Sequence, residues 1–227
     1  MFARITAGTA ELPGIFGEIY PENAAPIRLN LNEFSYRKGS EIFGEKEPAD
    51  YVYQVMTGAV RSYKLLSDGR RQIGAFHLVG DIFGLEIGTE HRFTAEAVID
   101  TSVRLMKRRS LEAVAESDAM VARNLLSMTT NNLRHAEDHM LLLGRKTSLE
   151  RVAAFLIEMD KRSTAAGILA LPMCRRDIAD YLGLTLETVS RALSRLHGLG
   201  ILGFIGNSQR QIVLLDREKL AGLDLQN

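Results

Sequence analysis

Residues 172–199 read PMCRRDIADYLGLTLETVSRALSRLHGL, a pattern typical of a helix-turn-helix. Ile178, Ala179 and Leu182 share one face of a short first helix, which Gly183 then ends. Thr185 is a favourable N-cap for a second helix. Apolar residues at helical spacing predict the buried face of that second helix: Val189, Leu193 and Leu196.

The other face of the second helix carries side chains that can read DNA bases. Four of them lie near its N-terminus and point away from the apolar face: Leu186, Glu187, Ser190 and Arg191. In the major groove an arginine can donate two hydrogen bonds to guanine, a carboxylate can accept one from cytosine, and a leucine can contact a thymine methyl group. The alternative is an ordinary ion pair between Glu187 and Arg191, one turn apart, which stabilises a helix by only about 0.2–0.5 kcal/mol.

Residues 176–191, RDIADYLGLTLETVSR, closely resemble the helix-turn-helix signature of the CRP/FNR family of bacterial transcription regulators, in particular its FNR and FixK branches. In those branches a glutamate, a serine and an arginine contact a TTGA-type half-site, and they match Glu187, Ser190 and Arg191. The resemblance implies a homodimer on an inverted repeat of double-stranded DNA, and activation through contact with RNA polymerase. For the FixK branch it also implies control of genes for low-oxygen respiration and nitrogen fixation.

Other residues around the two helices are expected to contact the DNA backbone. Arginine and hydroxyl side chains bind phosphate oxygens and so fix the register of a protein on DNA. The candidates are Arg175, Thr185, Thr188, Arg195 and Arg210. For Arg210, a solvated loop arginine is an equally good interpretation.

The composition is that of an ordinary globular protein. The chain has 227 residues, 46% of them hydrophobic and 25% charged, a length compatible with two small domains. It contains neither a membrane-spanning apolar stretch nor a signal-peptide core, so we expect a cytoplasmic protein. The net charge is zero, yet residues 1–144 carry 16 Lys and Arg against 19 Asp and Glu, whereas residues 145–227 carry 12 against 9. The basic part therefore contains the helix-turn-helix, as DNA binding requires.

The N-terminal part is predicted to be an arm followed by a β-domain. Residues 1–30 contain three prolines and no sustained periodicity, which predicts a poorly ordered arm. Residues 31–117 contain short strands separated by glycines, with an Asp-Gly hairpin turn at residues 67–70. This domain resembles the cyclic-nucleotide-binding β-roll.

The nucleotide-binding residues of that β-roll are incomplete in this chain. Glu86 is displaced by one residue from its expected place, and Arg92 is followed by Phe93 where a hydroxyl side chain is needed. In the cyclic-AMP-binding members that this domain resembles, a Gly-Glu pair and an Arg-Ser pair hold the nucleotide, with the arginine on the phosphate. In an alignment without a gap, His91 and Arg92 stand in place of that Arg-Ser pair. On either alignment we expect no cofactor and activity without cyclic AMP.

Residues 118–144 are predicted to form a long dimerisation helix. Apolar and small residues recur at alternating spacings of four and three, as in a coiled coil. The core of the predicted interface is Leu126, Leu133, Ala136, Met140 and Leu143, and Ala122 and Thr129 extend it. His135 and His139 have the spacing of a metal-binding pair, but no third ligand is recognisable, so we expect surface histidines near the interface and no metal.

Residues 145–227 are predicted to form a winged-helix DNA-binding domain, which follows a hinge at residues 144–146. Thr147 and Glu150 match the S/T-x-x-E capping box at the start of a helix. Strands at residues 201–205 and 211–215 flank the loop 206–210 and complete the wing. The fold class is therefore α+β, with an N-terminal β-roll, a long dimerisation helix and a C-terminal winged helix-turn-helix.

Cys174 is the only cysteine, which excludes an internal disulfide and a four-thiolate iron–sulfur cluster. It precedes the helix-turn-helix beside Arg175 and Arg176, positive neighbours that favour a reactive thiolate. One hypothesis is that oxidation of Cys174 adds bulk and negative charge and repels DNA phosphates. The equally good alternative is a small, buried apolar side chain.

Two other classes of function are less well supported by the sequence. A regulatory module whose winged helix binds protein would show no salt-dependent affinity for DNA. An enzyme needs a nucleophile with a base and an orienting group, a phosphate-binding loop or a metal set, and none is recognisable. We therefore predict a transcription regulator and not an enzyme.

Overall fold

A computed structural model describes residues 32–162, 168–206 and 210–224. The predicted arm, residues 1–30, lies outside them. The chain divides into two compact units: Met1–Gly69 with Gly74–Arg134, and Arg70–Ile73 with His135–Asn227. The division falls inside the long helix and not at its end, and it assigns a short segment after Gly69 to the second unit.

A β-domain of two four-stranded antiparallel sheets makes up most of the first unit, and only the first three residues of β5 are assigned to the second unit. The strands are β1 (Asn32–Tyr36), β2 (Glu41–Phe43), β3 (Tyr51–Thr57), β4 (Val60–Leu65), β5 (Arg71–His77), β6 (Ile82–Phe83), β7 (Thr94–Ala97) and β8 (Thr101–Lys107). The sheet orders are β1-β8-β3-β6 and β2-β7-β4-β5. Strands of both sheets contribute to an apolar core in which the Phe43 and Phe83 rings lie 5.1 and 5.2 Å from the Tyr53 ring.

Gly58 explains the tight turn between β3 and β4. Its φ of +86° lies in the left-handed region, and a Cβ atom built on it would lie 2.4 Å from the Thr101 hydroxyl oxygen. The Thr101 hydroxyl lies 2.7 Å from the Ile99 carbonyl and 3.1 Å from the Ala59 carbonyl, to either of which it can donate, and it accepts from the Ala59 amide. Only glycine permits this close approach of the turn to β8.

Two helices follow the β-domain: α1 (Arg108–Ser117) and α2 (Ala119–Arg145). The Asp118 carboxylate accepts hydrogen bonds from the amides of Met120 and Val121, at 2.8 and 3.3 Å, and so begins α2. In the first unit, one face of α2 packs through Val121, Leu125 and Met128 on a second apolar cluster that includes Val52 and Met106. No described helix has the combination of length and apolarity that crossing a membrane requires.

The second unit is a small helical domain with a three-stranded sheet. Its further elements are α3 (Ser148–Arg162), β9 (Ile168–Ala170), α4 (Arg175–Leu182), α5 (Leu186–Gly198), β10 (Leu202–Ile205), β11 (Gln211–Leu214) and α6 (Arg217–Asp224). The antiparallel sheet has the order β10-β11-β9. The core contains the residues predicted for α3, namely Val152, Phe155, Leu156 and Met159, together with Val189, Leu193 and Leu196 of α5. The predicted α+β class is confirmed.

Local hydrogen bonds explain where the helices of the second unit begin and end. The capping box predicted for α3 is present, since the Thr147 amide donates to Glu150 Oε2 at 2.7 Å and the Glu150 amide contacts Thr147 Oγ1 at 3.5 Å. Gly183 ends α4 with a φ of +61°, the left-handed conformation that glycine tolerates. Thr185 caps α5 by accepting from the Thr188 amide at 3.2 Å, as predicted.

Arg151 joins three backbone segments near the predicted hinge. Its guanidinium donates to the carbonyl oxygens of Leu143, Lys146 and Leu182, at 2.8, 2.9 and 3.0 Å. These carbonyls belong to the last turn of α2, the connection to α3 and the end of α4. Residues 144–146 are therefore spanned by hydrogen bonds from a single side chain.

Candidate nucleic-acid interface

Helix α5 presents the predicted base-reading residues on the side opposite its buried face. Glu187 and Arg191 are exposed, and Leu186 and Ser190 are half-buried. The described residues include no ion pair between Glu187 and Arg191, so the alternative of a simple stabilising pair is not what the structure contains. Both charged groups are accessible to a ligand.

Glu187 is held in its ionised form. The pKa of its carboxyl is lowered because the group accepts hydrogen bonds from its own backbone amide and from the Thr185 side chain, with smaller contributions from the charges of Arg176 and Arg191. An ionised carboxylate only accepts hydrogen bonds. It is therefore suited to the amino group of cytosine.

Arg175 lies beside the recognition helix, close to one of the base-reading residues. Its Nη1 atom donates to Ser190 Oγ at 3.2 Å, and its guanidinium carbon lies 5.9 Å from the centre of the Phe204 ring. These contacts bring the first residue of α4, the middle of α5 and strand β10 together. The Arg175 guanidinium therefore lies next to the α5 face that carries Ser190.

The other predicted phosphate-binding residues are less closely grouped. The Thr185 and Thr188 hydroxyls are 2.9 Å apart at the start of α5, and Arg195 is exposed two turns further along the same helix. Arg210 is exposed where the wing re-enters the sheet, and its carbonyl accepts from the Leu171 amide at 3.0 Å. The wing residues 207–209 lie outside the described part.

Cys174 is half-buried at the N-cap of α4. Its thiol contacts an acidic side chain, whereas the sequence led us to expect the influence of Arg175 and Arg176. Its thiol donates to Asp177 Oδ2 at 3.1 Å, and its amide donates to the same oxygen at 3.1 Å. The adjacent arginines were expected to favour a thiolate, but the atom that contacts the sulfur belongs to a carboxylate. Asp177 caps α4 as the third helical residue, a capping pattern that could have been recognised from the Cys-x-x-Asp spacing.

Arg71 is a residue of the second unit that the sequence analysis missed. Its Nε and Nη2 atoms donate to Asp180 Oδ2 at 2.8 and 2.7 Å, and Nη2 also donates to Asp177 Oδ1 at 2.6 Å. The side chain of the following Gln72 donates to the Tyr181 carbonyl at 3.3 Å. Both residues thus contact α4, more than 100 positions away along the chain.

The two histidines of α2 are half-buried and contact Tyr181 of the helix-turn-helix, a packing that the prediction of surface histidines did not include. The His139 ring stacks on Tyr181 at 4.1 Å, and His135 Nε2 lies 3.3 Å from the Tyr181 hydroxyl. Burial, with a smaller effect of the nearby His135, lowers the pKa of His139 to about 4. Among the described residues no group of three or more His, Cys, Asp or Glu side chains is placed to hold a metal ion.

The exposed stripe on α2 coincides with the predicted dimer seam. Leu126, Leu133 and Met140 are 67%, 60% and 67% exposed. Ala136 is also exposed, and Leu143 is half-buried. Large apolar side chains this exposed along one helix face are typical of a surface that a partner covers.

In the β-domain, the residues that correspond to a nucleotide site contact each other. Arg92 donates through Nε to Glu86 Oε2 at 2.9 Å and through its amide to Glu86 Oε1 at 3.1 Å. His91 is buried, and its ring stacks on Phe43 with 3.6 Å between the centres. Burial lowers the pKa of His91, so the ring is held neutral. The guanidinium that would bind a phosphate is thus already paired with a carboxylate.

Comparison with known proteins agrees with this architecture. A cyclic nucleotide-binding domain model matches residues 33–118, and a Crp-like helix-turn-helix domain model matches residues 150–223. The nitrogen fixation regulation protein FixK of Rhizobium meliloti (strain 1021) is 41% identical over 189 residues, which cover 83% of this chain and 85% of that protein. FixK of Azorhizobium caulinodans is 45% identical over 194 residues, covering 83% of this chain and 77% of that protein.

A solved structure is similar over nearly the same length. The structure of FixK2 from Bradyrhizobium japonicum shares 70% sequence identity with this chain and superposes with a TM-score of 0.84, covering 88% of this chain and 100% of that one. The two domain models, the full-length relatives and this structure all agree with the signature in residues 176–191. The chain therefore belongs to the CRP/FNR family of transcription regulators, in its FixK-like branch.

Proposed function

We propose that this protein is a cytoplasmic, homodimeric transcription activator that binds a TTGA-type inverted repeat. The observation that carries the proposal is the face of α5, where Glu187 and Arg191 are exposed beside Ser190 and form no ion pair with each other. Relatives named as nitrogen fixation regulation proteins and as a transcriptional activator support activation of nitrogen-fixation genes. Control of low-oxygen genes and contact with RNA polymerase are carried over from the family that residues 176–191 resemble.

Each base-reading residue has a defined role in the proposal. Arg191 donates to the O6 and N7 atoms of guanine, Glu187 accepts from the amino group of cytosine, and Leu186 contacts a thymine methyl group. Ser190 is oriented by Arg175 and donates to a base edge or a phosphate. Backbone contacts come from Arg175, Thr185, Thr188, Arg195 and Arg210, which position α5 in the groove.

Dimerisation places two such helices on the two half-sites. The exposed stripe of Leu126, Leu133, Ala136, Met140 and Leu143 pairs with the same stripe of a second copy, an isologous contact with two-fold symmetry. The two-fold axis then matches that of an inverted repeat, with half-site centres about one helical turn apart. The proposed function needs no catalytic residue.

The β-domain is proposed to act without cyclic AMP. Nucleotide binding would require Arg92 to exchange the Glu86 carboxylate for a phosphate, and Phe93 supplies no hydroxyl group to assist. The buried, neutral ring of His91 offers no positive charge in compensation. The dimer is therefore expected to bind DNA in the absence of a small-molecule effector.

Oxidation of Cys174 is proposed to inhibit DNA binding. Hydrogen peroxide transfers an oxygen atom to the thiolate, breaking the O–O bond and releasing water once the leaving hydroxide takes up a proton, and a second equivalent gives the sulfinate. A sulfinate at this sulfur would place negative charge 3.1 Å from the Asp177 carboxylate at the start of α4. Repulsion there would displace the first turn of the helix-turn-helix and oppose DNA phosphates nearby.

The proposal is tested by fluorescence anisotropy with reduced, effector-free protein and a labelled TTGA-type inverted repeat, with scrambled DNA at the same salt concentration as the reference. Selective binding, with a stoichiometry of one dimer per site, is expected. Equal affinity for the two DNAs would overturn sequence-specific reading. Binding that requires an added small molecule would overturn effector independence and assign a sensing role to the β-domain.

A further inference from the structure

The side chain of Arg71 forms a charge cluster with α4 in the second unit. Asp177 and Asp180 are its two acidic partners, with three donor–acceptor contacts between 2.6 and 2.8 Å. The Asp177 side chain is 5% exposed, and those of Arg71 and Asp180 are 20% and 23% exposed. The cluster is therefore mostly shielded from water, where charge interactions are stronger and less screened by salt.

Arg71 also fixes the orientation of the Asp177 carboxylate. One oxygen of Asp177 accepts from Arg71, and the other accepts from the amide and the thiol of Cys174. The carboxylate is thus held on both sides while it caps the first turn of α4. Loss of Arg71 would remove its hydrogen bond to Oδ1 of a nearly buried carboxylate, while Oδ2 would keep its contacts with Cys174.

Charge on α4 matters because this helix borders the proposed DNA surface. Its first residue is Arg175, which contacts α5 and is a proposed phosphate ligand, and Asp177 follows two positions later. A negative charge on Asp177 would repel a phosphate held by Arg175, and such repulsion is only partly screened within the Debye length of about 8 Å at physiological salt. Arg71 supplies one positive charge, which offsets part of the charge of Asp177 and Asp180.

We propose that Arg71 is a positioning residue for DNA binding, which raises affinity by orienting the two aspartates of α4 and offsetting part of their charge, without contacting DNA itself. The inference rests on the proposed function, since it presumes that α4 and α5 face DNA. A phosphate ligand and a residue that offsets carboxylate charge differ in one respect. Only the loss of the second can be recovered by removing a carboxylate charge from α4.

The experiment compares the parent with Arg71→Gln, Arg71→Gln/Asp180→Asn and the control Arg70→Gln, an exposed arginine of the same segment. Binding to the inverted repeat is measured over a series of salt concentrations, using the active fraction from stoichiometric titration so that partial unfolding does not count as weak binding. For Arg71→Gln we expect about a tenfold loss of affinity, the order of incompletely screened repulsion between carboxylates and phosphates. The second substitution, Asp180→Asn, should recover at least half of that loss on a logarithmic scale.

Recovery in the double variant separates this role from direct contact. Because the repulsion is screened by salt, the affinity loss of Arg71→Gln should shrink as the salt concentration rises and should be recovered by Asp180→Asn. Loss of one phosphate contact per subunit would instead reduce the slope of log K against log salt by about 1.8 for the dimer, and this reduction would persist in the double variant. A persistent reduction, failure of Asp180→Asn to recover affinity, or an equal effect of Arg70→Gln would overturn the inference. If the parent does not select the inverted repeat, the proposed function and this inference are both wrong, whereas a selective parent with an unaffected Arg71→Gln variant refutes the inference alone.

Discussion

Truncation of Leu133 to alanine should weaken the dimer strongly. Leu133 lies near the centre of the exposed stripe on α2 and is 60% exposed in the isolated chain. Complete burial of a leucine side chain is worth about 1.5–3 kcal/mol, so covering this exposed part contributes about 1–2 kcal/mol for each copy. A symmetric dimer contains the residue twice, and Leu133→Ala should therefore cost about 2–4 kcal/mol, or about 30- to 1000-fold in the dissociation constant.

Sedimentation equilibrium over a range of protein concentrations measures this constant directly. The matched control is Leu141→Ala, because Leu141 is 65% exposed on the same helix but lies outside the predicted seam. The control should change the dissociation constant by less than about fivefold, as expected for a surface substitution worth about 0.5 kcal/mol in each of the two copies. If Leu133→Ala leaves the dimer intact while Leu141→Ala dissociates it, the seam has been assigned to the wrong face of α2.

Three further predictions concern single residues. Arg191→Ala should reduce the binding free energy by about 1–3 kcal/mol for the inverted repeat and by little for scrambled DNA, whereas Arg195→Ala should weaken binding to the two DNAs equally. Anisotropy titrations in which Arg191→Ala loses the same affinity for both DNAs would refute base reading. Peroxide should abolish DNA binding by the parent but not by Cys174→Ser, and equal sensitivity of the two proteins would exclude this thiol as the target. The pKa of His139 is lowered to about 4 in the folded protein, so as the pH falls the unfolded chain takes up this proton first, near the ordinary pKa of about 6.5. The free energy of unfolding should therefore decrease as the pH falls from about 6.5 towards 4. Urea unfolding at several pH values should show a less steep decrease for His139→Gln.

The sequence predicted best those features that depend on neighbours along the chain. The capping box at Thr147 and Glu150, the turn at Gly183 and the cap at Thr185 follow from local backbone geometry, and the helical spacing of Val189, Leu193 and Leu196 identified the buried face of α5. Each of these requires only that nearby residues satisfy backbone groups or share one helix face. Such constraints are visible in a single sequence.

The misjudged features depend on what covers a surface from elsewhere in the chain. Helical spacing placed His135 and His139 on one face of α2 but did not show that Tyr181 packs against that face. Arg71 and Asp177 are separated by 106 positions, so no local pattern indicates their ion pair. For Cys174, the positive charges next to it in the sequence were expected to favour a thiolate. The hydrogen-bonding partner of its sulfur is instead the capping residue Asp177, three positions away.

The three hydrogen bonds of Arg151 have a consequence for the choice of operator. They fasten the last turn of α2 to the end of α4 within the second unit, so in the proposed dimer each α5 would be held by hydrogen bonds to the end of α2 and not by a loose tether. Two reading helices held in this way would have a fixed separation and a fixed angular phase about the DNA axis. An operator with one additional base pair between its half-sites would turn the second half-site by about a tenth of a helical turn, and the protein would have to strain either these bonds or the DNA to engage both. Spacer length thus becomes part of what the protein reads, alongside the bases in each half-site.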